Sequence, residues 1–241
     1  MFQRRAPLDD DMSLTDVRAI LLDVEGTTTP IAFVHDVLFG YARDHVREFL
    51  AEDSAAEDVA LLREEHANDS SDAPPLTDEI ESVAAYVEWL IKLDRKSTAL
   101  KSLQGKIWRK GYRDGSLQSQ VFADVAPAFA RWRERGLRIS IFSSGSVLAQ
   151  QLLFAHTEAG DLTPFIESYF DTSVGKKGEA GSYRKIAEAM RLPPREILFI
   201  SDVVSELDAA SEAGMKSILS IRPGNAHAEH DPSIHSFDEI G

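Results

Sequence analysis

The chain has 241 residues, 43% of them hydrophobic and 27% charged, which leaves room for one large domain or for a core domain with a smaller companion. It contains no cysteine, so disulfides, thiolate nucleophiles and zinc–thiolate sites are excluded, and the composition suits a reducing cytoplasm. Lys and Arg total 26 against 40 Asp and Glu, a net charge of −14 that argues against nucleic acid or an anionic membrane as partner.

The N-terminal MFQRRAPLDDDMSLTD has no apolar stretch of signal-peptide length and reads as a short, acidic-ended tail; Arg4–Arg5 is too short for a basic patch. No later segment approaches the roughly eighteen apolar residues of a membrane span. VRAILLD (17–23) reads as the first buried strand. The next ninety or so residues hold no convincing strand, only amphipathic helical stretches: FVHDVLFGYARDHVREFLAED, VALLREEHAND and EIESVAAYVEWLIKLDR. A polar, Pro-containing loop, NDSSDAPPLTD (68–78), interrupts them. From residue 124 helices and strands alternate. Helical patterns at 124–135, 146–156, 179–191 and 203–213 separate strands at 137–143, 168–172, 196–202 and 215–221, with Gly136 and Gly214 as C-caps.

That order predicts an α/β fold: a doubly wound, mostly parallel Rossmann-like sheet with an inserted helical cap domain. The core takes residues 1–30 and 122–241, and the cap, inserted after the first strand, takes 31–121. Ligands of open α/β sheets bind beyond the carboxyl ends of the strands. Those ends carry, in order, Asp23 with Glu25, Ser143 with Ser144, Lys177 in the loop GKKGEAGSY, and Asp202 with Glu206. Two carboxylates at the end of a buried strand cost several kcal/mol unless paired or bound to metal.

Together these residues make a phosphoryl-transfer site. An aspartate can attack phosphorus and form an aspartyl-phosphate, and the transition state then needs mainly charge stabilisation. Asp23 and Asp202 can hold Mg²⁺ through hard oxygen ligands. Lys177 can neutralise both Asp23 and the phosphate, and Ser143 with the N–H groups of the SSGS turn can cradle phosphate oxygens. Glu25 stands far enough along to face the leaving group.

DVEGT is similar to the DxDxT-type first motif of the haloacid dehalogenase superfamily, IFSSGS to its second, Lys177 to its third and SDVVSELD to its fourth. DVEGTTTPI, LQGKIW (103–108), SSGSVLAQQLLF, SYRKIA (182–187), SDVVSELDAA and RPGN (222–225) together resemble the enolase-phosphatases of methionine salvage. The resemblance runs from residue 20 to 225. It implies enolisation of 2,3-diketo-5-methylthiopentyl 1-phosphate and its dephosphorylation to an acireductone, with Mg²⁺ and no other cofactor. It implies metal-site carboxylates at Asp23, Glu25 and Asp202, catalytic roles for Asp23, Glu25 and Lys177, and substrate contacts from Ser143, Ser144 and Lys177. The family lysine stands two residues after a glycine, which selects Lys177 over Lys176.

Other readings compete. A phosphatase of the same superfamily acting on another small phosphomonoester shares the core motifs. A phosphonate hydrolase needs a cap lysine, for which Lys92, Lys96, Lys101 and Lys106 are candidates. Glu206 is either a first-turn acid favouring the helix dipole or a group that orients Asp202. Trp108 reads as core, and Gln104 as core or as a cap residue reaching the substrate. His227, His230 and His235 read as a solvated polar tail. No exposed apolar repeat calls for assembly, which predicts a monomer.

Overall fold

The computed structural model describes residues 14–69, 72–93, 95 and 97–240; the N-terminal tail with Arg4–Arg5, and Lys96, lie outside them. In chain order the main elements are β1 (Ala19–Leu22), α1 (Phe39–Leu50), α2 (Ala56–His66), α3 (Ile80–Lys92), α4 (Thr98–Asp114) and α5 (Val125–Glu134). Then follow β2 (Arg138–Phe142), α6 (Val147–Ala155), β3 (Ile166–Phe170), α7 (Ala180–Met190), β4 (Ile197–Ser201), α8 (Val204–Glu212), β5 (Lys216–Ser220) and β6 (Ser233–Ile234). The chain divides into two compact units, one of residues up to Thr27 with Ala123–Phe142 and Phe165 onward, the other of Thr28–Phe122 with Ser143–Pro164.

The first unit holds the whole sheet, in the order β3-β2-β1-β4-β5-β6, and every pairing is parallel. β1 sits between β2 and β4, and all four of its residues are buried. Parallel strands covered on both faces are apolar throughout, which is why AILL, ISIF and ILFIS carry no polar alternation beyond serine. Leu21, Phe142 and Phe199 pack into a cluster with Tyr183, Ile186 and Met190 of α7 and Leu207 and Ala210 of α8. Ile20, Leu22, Ile139 and Ile141 are equally buried and, by strand alternation, lie on the opposite face. On α5, Trp132 is fully buried and its ring meets Phe237 at 5.2 Å. Removing such a ring costs about 3–5 kcal/mol.

Two sequence readings need correction here. The third strand is Ile166–Phe170 rather than 168–172, because Ile166 pairs with Ile139. The Asp171 carboxylate then accepts from Ser173 N at 2.9 Å and turns the chain away. The C-terminal segment is not simply a solvated tail. β6 docks beside β5, Leu219 N donating to Pro232 O at 3.0 Å and Ile221 N to Ile234 O at 2.8 Å, and Ile234 and Phe237 are fully buried. His227 and His235 are exposed and His230 half-buried.

In the second unit the elements are helical. Val46, Phe49, Leu62, Val83, Tyr86, Leu90, Leu103 and Ile107 form the core joining α1, α2, α3 and α4. α4 escapes a periodicity reading because Gly105 and Gly111 interrupt its apolar stripe. Both glycines are packing devices. A Cβ on Gly111 would fall 2.5 Å from Tyr41 Oη, and one on Gly105 would fall 3.1 Å from Leu148 Cδ2 of α6. Ser97 starts α4, its Oγ accepting from Leu100 N at 2.8 Å, and Gly115 at φ 80° ends it.

Candidate active site

Asp23 is the first residue past β1, held in the sheet by its N–H on Ile200 O at 3.0 Å. It is 4% exposed. Its Oδ1 accepts from Val24 N at 2.7 Å and from Lys177 Nζ at 2.6 Å, and its Oδ2 accepts from Ser201 Oγ at 3.3 Å. Lys177 Nζ also reaches Glu206 Oε2 at 2.7 Å and stands 5.8 Å from the centre of the Phe142 ring. Ser201 bridges the same groups, donating to Glu206 Oε2 at 2.9 Å and accepting from Val203 N at 3.1 Å. Burial works to lower the Lys177 pKa, but the charges of Asp23 and Glu206 outweigh it and hold the ammonium above its ordinary value.

The loop before α7 aims this lysine and not its neighbour. Gly175 has φ 140°, and a Cβ there would fall 2.3 Å from Ser182 Oγ, which itself donates to Lys176 O at 2.7 Å. Lys176 is turned out, its side chain 85% exposed against 11% for Lys177.

Asp202 follows β4, the strand beside β1. Burial pushes its carboxyl up to about 7, the Asp23 charge adds to the rise and Lys177 opposes it; Glu25 contributes in the same sense as Asp23. Burial and the Asp23 charge likewise raise Glu206. Gly26, at φ 67°, lets the Asp202 carboxylate lie against the loop: a Cβ there would be 2.3 Å from Asp202 Oδ2. Asp23 and Glu206 thus share the Lys177 ammonium, and Asp202 stands in the field of all three. Among the described residues no three His, Asp or Glu side chains converge as a ready chelate. Mg²⁺ rarely requires one, since it typically takes one or two carboxylates and completes its shell with waters and phosphate oxygens. Hard oxygen donors with surplus negative charge fit such an ion.

A second set of residues carries no chemistry but braces the site, and it was visible beforehand only as the quoted RPGN. Arg222, 6% exposed, pairs with Asp124 at 2.8 Å, donates to Thr27 O at 3.2 Å and to His235 O at 3.0 Å, and lies over the Phe237 ring. Asn225 Nδ2 donates to Gly26 O at 2.9 Å and to Ser220 O at 3.1 Å. Ser201 was also missed. The one local signal for it is a hydroxyl ending a strand of large apolar residues.

Ser143 and Ser144 belong to the other compact unit, directly after Phe142 in the chain. Ser143 is buried and its Oγ accepts from Gly145 N at 3.1 Å; Ser146 caps α6 by accepting from Ala149 N at 3.3 Å. Gln150 Nε2 donates to Gly145 O at 2.9 Å and steadies the turn. Trp108 is core of this unit, its indole N–H donating to Leu38 O at 2.8 Å, and Gln104 is buried on α4.

The parallel sheet and the acid–lysine cluster at its carboxyl end define a haloacid dehalogenase-like hydrolase, and the family model of that description matches residues 17–214. The chain is 53% identical over 232 residues to enolase-phosphatase E1 of Synechococcus elongatus, covering 93% of this chain and 98% of the relative. It is 47% identical to enolase-phosphatase E1 of Sorangium cellulosum, covering 95% and 99%. The crystal structure of the UTR4 protein from Saccharomyces cerevisiae superposes with a TM-score of 0.77 at 34% identity, over 92% of this chain and 99% of that one. The chain belongs to the enolase-phosphatase E1 family of haloacid dehalogenase-like hydrolases.

Proposed function

We propose that this enolase-phosphatase carries out its phosphatase step with Asp23 as nucleophile, Glu25 as proton carrier and Lys177 as the fixed positive charge. The protein enolises 2,3-diketo-5-methylthiopentyl 1-phosphate and dephosphorylates the enol to the acireductone of methionine salvage. The observation that carries the residue assignment is the buried contact of Asp23 with Lys177, 2.6 Å apart, with Glu206 on the same ammonium and Asp202 in the field of Asp23.

An Asp23 oxygen attacks phosphorus in line; the new O–P bond forms as the ester P–O bond breaks. Glu25 protonates the departing oxygen and then takes a proton from the water that hydrolyses the aspartyl-phosphate, releasing phosphate and restoring Asp23. Lys177 holds the nucleophile's orientation and meets charge on the phosphate. Asp23, Glu25 and Asp202 would hold Mg²⁺, which would supply charge neutralisation for the phosphate dianion. Ser143 and Ser144 bind phosphate oxygens. The Ser143 hydroxyl, which already accepts from Gly145 N, keeps its hydrogen for donation. For enolisation we assign proton removal to Glu25 as well, since its carboxyl reaches about 1.3 Å further than aspartate by ordinary carbon–carbon geometry. The helical block 31–121 serves as a cap that keeps water from the enol.

Among the described residues no helix is long and apolar enough to cross a membrane. We read the protein as a cytoplasmic monomer whose partner is a small phosphorylated molecule, with no nucleic acid or membrane partner. The test is a single-turnover assay on the diketone phosphate, with Mg²⁺ or with EDTA, following enol absorbance and released phosphate separately. The reading expects an enol signal that precedes phosphate, and neither without Mg²⁺. Hydrolysis of simple phosphomonoesters at the same rate with no enol signal would reduce the assignment to a plain phosphatase.

A further inference from the structure

The Asn225 side chain has only one sensible orientation. Its Nδ2 donates to two backbone carbonyls, Gly26 O at 2.9 Å and Ser220 O at 3.1 Å. Carbonyls only accept, so the NH₂ end must face them and Oδ1 must face away. There Oδ1 is buried and receives no hydrogen bond. It stands 3.0 Å from the position a Cβ on Gly26 would take, and Asp202 Oδ2 stands 2.3 Å from that same position. Two acceptor oxygens therefore flank a residue without a side chain, and while Asp202 is ionised neither can satisfy the other. A buried acceptor without a donor costs on the order of 1–3 kcal/mol, and native structures rarely keep one without a use. The bridge also reaches across one strand of the sheet. Gly26 follows β1 and Ser220 ends β5, with β4 and its Asp202 between them.

We propose that Asn225 is a positioning residue for the divalent cation: its NH₂ group fixes the Gly26 carbonyl, and its Oδ1 accepts a hydrogen bond from the hydration shell of the ion held by Asp23 and Asp202. This rests on the metal reading above. It makes the RPGN turn an outer support of the metal site, of the kind whose loss weakens metal affinity without removing a ligand. Arg222 has the complementary, purely mechanical part, holding Thr27 O at 3.2 Å.

The experiment is calorimetric titration with Mg²⁺ alone, paired with thermal unfolding in EDTA, on the wild type, Asn225→Ala and Arg222→Lys. Asn225→Ala is expected to weaken Mg²⁺ binding roughly 10-fold or more. Arg222→Lys loosens the Thr27 carbonyl but leaves Oδ1 in place, so it lowers the unfolding temperature in EDTA and keeps Mg²⁺ affinity close to wild type. Unchanged affinity in Asn225→Ala overturns the proposal. So does a loss in Arg222→Lys as large as that in Asn225→Ala, since either result makes the amide merely structural. A wild type that binds no Mg²⁺ overturns the metal reading itself, and the proposal with it. Where Asn225→Ala does not fold, Asn225→Ser is judged by the same outcomes.

Discussion

Two buried ion clusters, one in each compact unit, are built on different terms. In the helical unit Asp58, 1% exposed, receives Lys106 Nζ at 2.7 Å and Ser102 Oγ at 2.7 Å, so one carboxylate meets one ammonium and one hydroxyl. In the sheet unit Lys177 touches both Asp23 and Glu206, and the Asp202 carboxyl stands in the field of Asp23 and Glu25 as well as of Lys177. The Asp58 cluster closes its charge and clamps α2 to α4. The Asp23 cluster stays negative, which disfavours the folded chain until a cation arrives. A balanced buried pair is architecture; a surplus of one sign at strand ends is chemistry.

Five substitutions sharpen that contrast, in falling order of effect. Asp23→Asn removes the attacking oxygen's charge, so phosphate release should fall on the order of 10⁴–10⁶-fold in a stopped assay. Its unfolding temperature in EDTA should equal or exceed wild type, because one repelling charge is gone. Substantial turnover by this variant, without deamidation, would sink the covalent mechanism. Lys177→Met has the opposite balance: it strands buried carboxylates and should cost about 3–5 kcal/mol in urea unfolding without Mg²⁺, as well as activity. An unchanged urea midpoint would show that the carboxylates do not depend on that ammonium.

Glu25→Gln should slow both enolisation and phosphate release, by roughly 10²–10⁴-fold, the usual worth of a general acid or base. Ser143→Ala should mainly weaken phosphate binding and dephosphorylation, leaving enol formation visible in single turnovers. Equal loss of both steps in both variants would erase the division of labour. Asp58→Asn should cost about 1–3 kcal/mol, less than a fully buried pair because the Lys106 side chain is 31% exposed, and kcat should not change. A fall in kcat at constant stability would make the Asp58 pair functional after all.

Much of this is legible in the sequence. Asp23 and Asp202 stand out because each ends an apolar run, where a carboxylate is out of place unless used. The parallel order followed from strands alternating with helices between 124 and 221. Lys177 is legible only by its place after the third strand and by the motif resemblance, since GKKGEAGSY has no intrinsic signal; its burial depends on Gly175 and Ser182 turning the loop inward. Arg222 and Asn225 could not be read for a different reason. Four of their partners are the carbonyls of residues 26, 27, 220 and 235, and backbone atoms leave no trace in side-chain patterns. β6 was hidden by length, because two residues show no alternation, and α4 by the glycines that let Tyr41 and Leu148 approach it.

The claim that the Asp23 cluster is a cation site is tested most directly by the unfolding temperature in EDTA and in Mg²⁺ at about 100 times its Kd, for wild type and Asp202→Ala. Ligand linkage at that concentration is worth about 2.7 kcal/mol, which for a chain of this size is a rise of roughly 5–10 °C. The account predicts that rise in wild type and a far smaller one in Asp202→Ala. The same unfolding temperature with and without Mg²⁺ in wild type, or an equal rise in both proteins, would contradict it.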